Sequence, residues 1–381
     1  MKKKILVVTE RRADFSRFKP ILKLIKKDKK LDYILIVTGL HLVKKYGYTI
    51  NEIKKENFKI FSKFKMFDKN YFKNNDGSEM AKAIGVGFIK LSKLVKISKP
   101  DIILSGFDIA ANFAISVVGA HMNIPVAHIQ GGEVSGTIDE SLRHAMTKFS
   151  NFHFTANNQT KKRLVKLGEV PKNIFPVGCP SIDALFLEKI IDKKIIKKKF
   201  NIDISKEFLV IIQHPITSEL KDSSFQILET IKAVKKLNIQ HLFIFPNNDA
   251  GSKNIINELN KAKLNFVPTL ALDEYKTLLC GNMILVGNSS SGIHEAASFR
   301  IPVINIGTRQ DGRYQPKNII NVGYNNVEII KAISKARSKK FKNQIKKINN
   351  PYGDGKSSQK IIDIIKKLKI KNFNTQKKLT Y

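Results

Sequence analysis

Tryptophan is absent from the 381 residues, and cysteine nearly so, with only Cys179 and Cys280. Two cysteines with no CxxC pair, and no cysteine or histidine set at metal-ligand spacing, indicate neither a disulfide framework nor a zinc site. Long apolar runs are missing too. The N-terminal MKKKILVVTERRADF starts like the charged front of a signal peptide, but its apolar run ends at Val8 and charges follow at once, so it reads as a first strand. With no stretch near the length of a transmembrane helix, a cytoplasmic protein with no membrane partner is expected. Acidic residues are scarce: 32 Asp and Glu stand against 68 Lys and Arg, for a net charge of +36. Such a balance first suggests a nucleic-acid surface. Only nine of the cations are arginine, however; lysine is spread over most predicted helices beside abundant Ile and Asn, and no aromatic-interleaved basic motif occurs. The pattern fits codon bias in an AT-rich genome better than a phosphate footprint. No nucleic-acid partner is expected, while the charge favours the approach of an anionic substrate.

What the chain does contain is an alternation. Lys4 to Thr9, Tyr33 to Thr38, Asp101 to Ser105, Ile124 to Ile129 and Phe152 to Thr155 are short runs rich in Ile, Val and Leu, with amphipathic segments such as Phe18 to Lys27 and Met80 to Ile97 between most of them. Continuous apolar runs suit a parallel sheet covered on both faces. A Lys/Ile-rich helical stretch follows from Pro180 to Lys206. The alternation then restarts with Phe208 to Gln213, His241 to Phe245, Asn265 to Val267, Met283 to Val286 and Pro302 to Ile306. The predicted architecture is α/β, two Rossmann-like domains facing a cleft in a GT-B-like manner. Expected boundaries are 1–180 for the N-terminal domain, 181–206 for a helical connection, 207–370 for the C-terminal domain and 371–381 for a polar tail that frays. Near that end, Ile361, Ile362, Ile365 and Leu368 make a helical stripe.

Chemistry is expected in His128 to His144, HIQGGEVSGTIDESLRH. IPVAHI reads as a strand closed by Gly131-Gly132. Thr137 to Glu140 fits a capping box that opens a helix, with Leu142, Ala145, Met146 and Phe149 as its buried face. Gln130, Glu133, Asp139, Arg143 and His144 then gather at one strand-to-helix crevice, the place where open α/β sheets bind ligands. A plainer account of the same residues has Asp139 complementing the helix dipole, Arg143 as its i,i+4 partner and His144 as a satisfied surface histidine.

In the second half, the run Met283 to Val286 enters Gly287-Asn288-Ser289-Ser290-Ser291-Gly292, and a helix is predicted from Ile293. Small residues let backbone amides approach a diphosphate at a helix N-terminus, and serine hydroxyls add donors. Glu295, one turn in, is placed to accept from ribose hydroxyls. The loop is equally readable as an ordinary serine-capped turn. Arg309 and Arg313 follow the next strand, His214 ends the first strand of this half, and Asn247 and Asp249 follow the second, so all occupy carboxyl ends of parallel strands. Arg12 and Ser16 hold the same place after the first strand of the chain. Cationic and hydroxyl groups on two rims imply a ligand that bridges the cleft, with a nucleoside diphosphate on the C-terminal side.

With these residues in view, the chain resembles the hydrolysing UDP-N-acetylglucosamine 2-epimerases of sialic-acid and related nonulosonate biosynthesis. Matching segments run over nearly the whole length, from RRADFSRFKPIL through GGEVSGTIDESLRHAMTKFSNFHF, HPITSE and FPNNDAGSK to VGNSSSGIHEAASFRIPVINIGTRQDGR. The resemblance implies a GT-B-like fold, a nucleotide-sugar substrate, no metal or other cofactor, and a homodimer or homotetramer. By position it implies a nucleotide grip from Arg12, Ser16, His214, Asn247, Ser289, Ser290, Glu295 and Arg309. It likewise implies a catalytic set of Asp108, Asp139 and Arg143, with Gln130 and Glu133 beside them. The chain departs from the family pattern in two places. Phe107-Asp108-Ile109 stands where Gly-Asp-Arg is usual, with Asn112 in a later position that is usually acidic, and Gln130 takes a place often held by glutamate. An amide cannot transfer a proton as a carboxylate does, so Glu133 is the nearest substitute. Competing expectations are a non-hydrolysing UDP-N-acetylglucosamine 2-epimerase, a GT-B glycosyltransferase and a binding protein without turnover.

Overall fold

The computed structural model describes every residue except Met1, Asn75, Asn248, Asn372, Leu379 and Tyr381. Asn248 of the FPNNDAGS segment and three residues of the expected tail therefore lie outside the described residues. Strands β1 (Lys3–Thr9), β2 (Leu31–Val37), β3 (Ile60–Lys63), β4 (Ile102–Gly106), β5 (Val126–Ile129), β6 (Phe152–Thr155) and β7 (Ile174–Pro176) form one sheet in the order β3-β2-β1-β4-β5-β6-β7. Strands β8 (Phe208–Ile212), β9 (Gln240–Ile244), β10 (Phe266–Val267), β11 (Met283–Gly287), β12 (Val303–Ile306) and β13 (Ile319–Val322) form a second, β10-β9-β8-β11-β12-β13. All these pairings are parallel.

Parallel strands need long crossovers, and helices in those crossovers cover both faces of a sheet. Along β1, Ile5 and Val7 enter one core while Leu6 and Val8 enter another on the opposite face. In β8, Leu209 and Ile211 are divided from Phe208 and Val210 in the same way. The ten expected strands are all present. Three more, β3, β7 and β13, lie at sheet edges, where burial is incomplete and the residues mix polar with apolar, so a search for continuous apolar runs passes over them.

The chain folds as two compact units: unit 1 holds Met1–Glu133, Ile138–Ala184 and Tyr352–Tyr381, and unit 2 holds Val134–Thr137 and Leu185–Pro351. The expected boundary at 370 is thereby corrected, because the C-terminal helix belongs to unit 1. In Ser357–Lys367, Ile361, Ile362 and Ile365 enter the core that contains Phe18, Ile21 and Ile25 of the helix Arg12–Lys27. The stripe was legible; which sheet it would cover was not. Asp183, 4% exposed, supplies the missing cap from a distant part of the chain, accepting from the amides of Ser358 (2.6 Å) and Ser357 (3.2 Å). Lys3 Nζ donates to the carbonyls of Ile365 (2.7 Å) and Leu368 (3.0 Å) at the other end.

The expected frayed tail is also corrected, since its described residues dock on unit 1. Phe373 lies 5.0 Å from Phe152 between ring centroids, Asn151 Nδ2 donates to Thr375 O at 3.0 Å, and Lys377 pairs with Glu169. One aromatic ring and one lysine in a polar stretch have no periodicity to announce them. Replacing Asp183 with Ala should strip two first-turn amides of their acceptor and cost about 1–3 kcal/mol in urea unfolding. Hydrogen exchange should accelerate in Ser357–Lys367, and unchanged protection there would show that the cap is not needed.

Candidate active site

Strand order reverses between β1 and β4 in unit 1, so the loops leaving these strands diverge and open a crevice at their carboxyl ends. The backbone here is bent. Phe107 and Asp108 after β4 have φ of 70° and 48°, and Gln130 after β5 has φ of 61°. Left-handed conformations at non-glycine residues persist where surrounding structure over-determines them, and they gather at functional sites. Asn112 is part of that surrounding structure: its Oδ1 accepts from Gly106 N at 3.2 Å and its Nδ2 donates to Val8 O at 3.3 Å. The Phe107 ring packs edge-on against Phe18, 4.8 Å between centroids.

Arg143, on the helix Ile138–Phe149, is only 2% exposed. Its guanidinium pairs with the Asp108 carboxylate and donates to Glu133 O at 2.9 Å. Burial acts to lower its pKa, but the charges of Asp108, Glu133 and Asp139 more than offset this and raise it. The i,i+4 account of Asp139 and Arg143 thus gives way to a long-range pair with Asp108. The buried face of this helix is Arg143, Met146 and Thr147, while Leu142 and Phe149 are half-buried. Of the expected apolar face Met146 alone is fully buried, and the polar Arg143 and Thr147, which apolar spacing does not count, complete the buried side. The helix begins after Thr137 as expected, yet the Thr137 hydroxyl has no hydrogen-bond partner among the described residues, so the expected capping box is not made. His144 sits half-buried, 3.5 Å from Glu140.

Gln130, 4% exposed, accepts from Arg17 Nη1 at 3.4 Å, and the Arg17 guanidinium lies over the Phe107 ring, 5.1 Å from its centroid. Asp108, Gln130, Glu133 and Arg143 are therefore one cluster, with Asp139 close enough to influence Arg143. Arg12 and Ser16 stand after β1 with other partners: Arg12 pairs with Glu52, and Ser16 Oγ donates to Ala13 O at 2.8 Å. Three residues of this rim were not anticipated: Arg17, Glu10 and His41. Glu10 is fully buried, accepting from Ala111 N at 2.9 Å and from Arg11 Nη2 at 2.7 Å. Its position directly after the first apolar run was available to the same placement rule that selected Arg12. Gly39, at φ 60°, passes so close that a Cβ would overlap the Glu10 side chain. The His41 ring bridges Thr9 Oγ1 (2.9 Å) and Thr49 Oγ1 (2.7 Å), and burial pushes its pKa down to about 3.

In unit 2 the order reverses between β8 and β11. Gly287, at φ 120°, approaches β8 so closely that a Cβ would overlap the Ile212 carbonyl. Asn288 then clips the loops together. Its side chain accepts from His214 N (2.7 Å) and donates to His214 O (2.9 Å), while its carbonyl accepts from Arg309 Nη1 (3.1 Å) and Gln310 Nε2 (2.7 Å). His214 Nδ1 accepts from Asn247 N at 3.0 Å, which in a neutral ring leaves the proton on Nε2. Asn247 Nδ2 donates to Asp249. Ser289 accepts from Ser291 N at 3.3 Å as the N-cap of Ser290–His294, a helix that starts at Ser290 rather than Ile293. Glu295, 9% exposed, accepts from Ser291 Oγ at 2.5 Å, and that hydroxyl also meets Tyr275 OH. Arg313 Nε donates to Val134 O at 2.8 Å, in the loop that follows Glu133. An imidazole N–H, serine hydroxyls and a guanidinium on one rim suit a ligand with anionic and hydroxyl groups. Asn288, Gln310 and Tyr275 were not anticipated, their amide and phenol groups carrying no pattern of their own. Among the described residues, no group of three or more His, Cys, Asp or Glu is placed to hold a metal ion, and no helix is long and apolar enough to cross a membrane.

Residues 23–366 match the family model described as UDP-N-acetylglucosamine 2-epimerase. The chain belongs to this family. Among its relatives in the 2-epimerase family is the UDP-N,N'-diacetylbacillosamine 2-epimerase (hydrolyzing) of Legionella pneumophila, 34% identical over 96% of each chain. Another is the GDP/UDP-N,N'-diacetylbacillosamine 2-epimerase (hydrolyzing) of Campylobacter jejuni, 33% identical over 90% of this chain and 89% of that one. In fold, the chain is similar to the UDP-GlcNAc 2-epimerase from Neisseria meningitidis bound to UDP-GlcNAc, with a TM-score of 0.81 at 19% identity over 96% of this chain and all of that one. Two parallel-sheet α/β units of GT-B-like type are thus the shared architecture of this 2-epimerase and its structural neighbours.

The His41 ring makes a pH dependence testable. A folded pKa of about 3 lies below the unfolded value of about 6.5, so the unfolded chain binds more protons between these limits. The stability contributed is fully present above about pH 6.5 and is lost as pH falls toward 3. Urea unfolding at pH 7 and pH 4 should show a loss that shrinks in His41→Gln; equal losses in the two proteins would contradict a buried neutral ring.

Proposed function

We propose that this 2-epimerase is of the hydrolysing kind. It acts on UDP-N-acetylglucosamine or a related UDP- or GDP-linked diacetamido sugar, and releases the nucleoside diphosphate with a free C2-inverted sugar for sialic-acid-type biosynthesis. The observation that carries this reading is the near-full-length likeness to two relatives whose names specify hydrolysis. A cytoplasmic assembly of two or four copies belongs to the same proposal.

In the proposed reaction a base takes the proton from C2 while the C1–O bond breaks and its electrons leave with the diphosphate, giving a glycal. Water then adds its oxygen at C1, and a proton returns to C2 from the opposite face. The C2 proton is weakly acidic, so leaving-group departure needs donors and positive charge. Those roles fall to His214, Ser289, Ser290 and Arg309, with Asn247 and Glu295 on the nucleoside and Arg12 and Ser16 completing the grip. Asp108 is the proposed base. Arg143 holds it in place through a part-buried, charge-assisted hydrogen bond. Glu133 and Asp139 offer the second carboxyl that the return proton requires, and Gln130 positions rather than transfers. With these assignments, sugar chemistry rests on unit 1 and nucleotide grip mainly on unit 2.

Incubation with UDP-N-acetylglucosamine and related nucleotide sugars in deuterated water should release UDP or GDP and a free C2-inverted sugar carrying deuterium at C2, N-acetylmannosamine in the first case. Intact UDP-N-acetylmannosamine as sole product would assign the non-hydrolysing reaction. Retained C2 configuration with a demand for an acceptor would assign a glycosyltransferase. Asp108→Asn should lower kcat by about 10²–10⁴-fold with little change in KM.

A further inference from the structure

The Lys/Ile-rich stretch between the two expected domains takes no part in the proposed chemistry, but it carries an unusual surface. Among the described residues fourteen large apolar side chains are exposed, and four of them, Phe186, Leu187, Ile190 and Ile195, fall within ten positions. Clustered apolar surface left in water is costly and marks a contact face. Six lysines, Lys189, Lys193, Lys194, Lys197, Lys198 and Lys199, share the stretch with only two acidic residues, Glu188 and Asp192. All six are exposed. Asp192 is engaged locally, accepting from Lys194 N at 2.8 Å as N-cap of the helix Lys193–Phe200, and Lys199 pairs with Glu274.

This part of unit 2 is held firmly. Lys276 Nζ donates to the carbonyls of Phe186 (3.2 Å) and Glu188 (2.5 Å), and Ile191 N donates to Thr277 Oγ1 at 3.0 Å. The Phe186 ring meets Phe299 edge-on, 5.8 Å between centroids. Ile196 and Phe200 enter the core that contains Phe208 and Val210, which turns Ile195 and the neighbouring lysines outward. The exposed apolar and cationic groups are therefore presented by an ordered surface.

Three surfaces could cover such a face. A nucleic acid would use the lysines but offers little to aliphatic side chains. A second copy meeting the same patch on itself would set lysine against lysine, and a net charge of +36 makes its other faces poor complements. A bilayer containing anionic lipids answers both features, because headgroup phosphates attract the ammonium groups while the acyl boundary receives the apolar side chains. Lysine stems can lie along that boundary with their charges at the level of the phosphates. The expectation of no membrane partner rests on the lack of a spanning segment, and a face that lies in the interface needs none.

We propose that the face formed by residues 186–199 docks on an anionic lipid surface, with Phe186, Leu187, Ile190 and Ile195 entering the headgroup boundary and the lysines meeting the phosphates. Full-length protein should bind vesicles of mixed phosphatidylglycerol and phosphatidylcholine at least about tenfold more tightly than phosphatidylcholine alone, and salt should weaken the binding. In co-sedimentation, K193E/K197E/K198E should lower that affinity at least about tenfold, whereas reversing three exposed lysines elsewhere in unit 2, K331E/K335E/K340E, should lower it no more than about threefold. I190S/I195S should lower it about tenfold through the lost apolar contact. Thermal melting checks the fold of each variant, and Leu187→Ser replaces the isoleucine pair if folding fails. The absence of any preference for anionic vesicles overturns the proposal. Equal losses in the two lysine sets also overturn it, by assigning the binding to overall charge. Unchanged vesicle binding in I190S/I195S overturns it as well, and a smaller assembly of that variant in light scattering would then assign the face to a second copy.

Discussion

A guanidinium in the interior of unit 1 constrains much of what surrounds it. Burying a charge costs several kcal/mol unless a well-placed counter-charge and hydrogen bonds recover it, and Arg143 obtains these from Asp108 and the Glu133 carbonyl. Asp108 reaches that position only through two successive left-handed residues, Phe107 and Asp108 itself. Their conformation is held by the Asn112 clip and by the packing of Phe107 on Phe18. Phe18 belongs to a helix that shares its core with Ile361, Ile362 and Ile365. The geometry of the carboxylate cluster therefore depends, through successive contacts, on the return of the C-terminal helix to unit 1 and on the Asp183 carboxylate that caps it.

Unit 2 reaches a similar end by neutral means. Its rim is organised by Asn288, whose side chain and carbonyl together engage His214, Arg309 and Gln310. An amide can donate and accept at once and adds no charge of its own. Loops can be joined this way without a further charge being added to the rim. Gly287 completes the arrangement, since only a residue without Cβ lets the end of β11 pass so close to Ile212.

Two kinds of information in the chain had different fates. Strands such as β1 and β8 announce themselves because burial on both faces demands continuous apolar sequence, and their carboxyl ends then locate both rims. The partners across those rims are not local. Spacing alone offers Asp139 to Arg143 because four residues separate them, whereas the bonded carboxylate is Asp108, 35 positions away. The stripe of Ile361, Ile362 and Ile365 likewise declares a buried helical face without declaring which core it completes. Thr137 carries the residue type of a cap, but its hydroxyl is not used as one. Periodicity records what must be covered, and tertiary structure decides by what.

Gln130 shows how a departure from pattern can be read physically. Asp108, Glu133 and Asp139 already place three carboxylates within electrostatic reach of Arg143. A fourth at position 130 would add like charge to the cluster and compete for the same cations. The amide keeps an acceptor for Arg17 while adding no charge, and Arg17 is thereby held over Phe107, at the bend that aims Asp108. In the proposed reaction, proton transfer then rests with the three carboxyl groups that remain, and position 130 contributes by fixing a cation beside them.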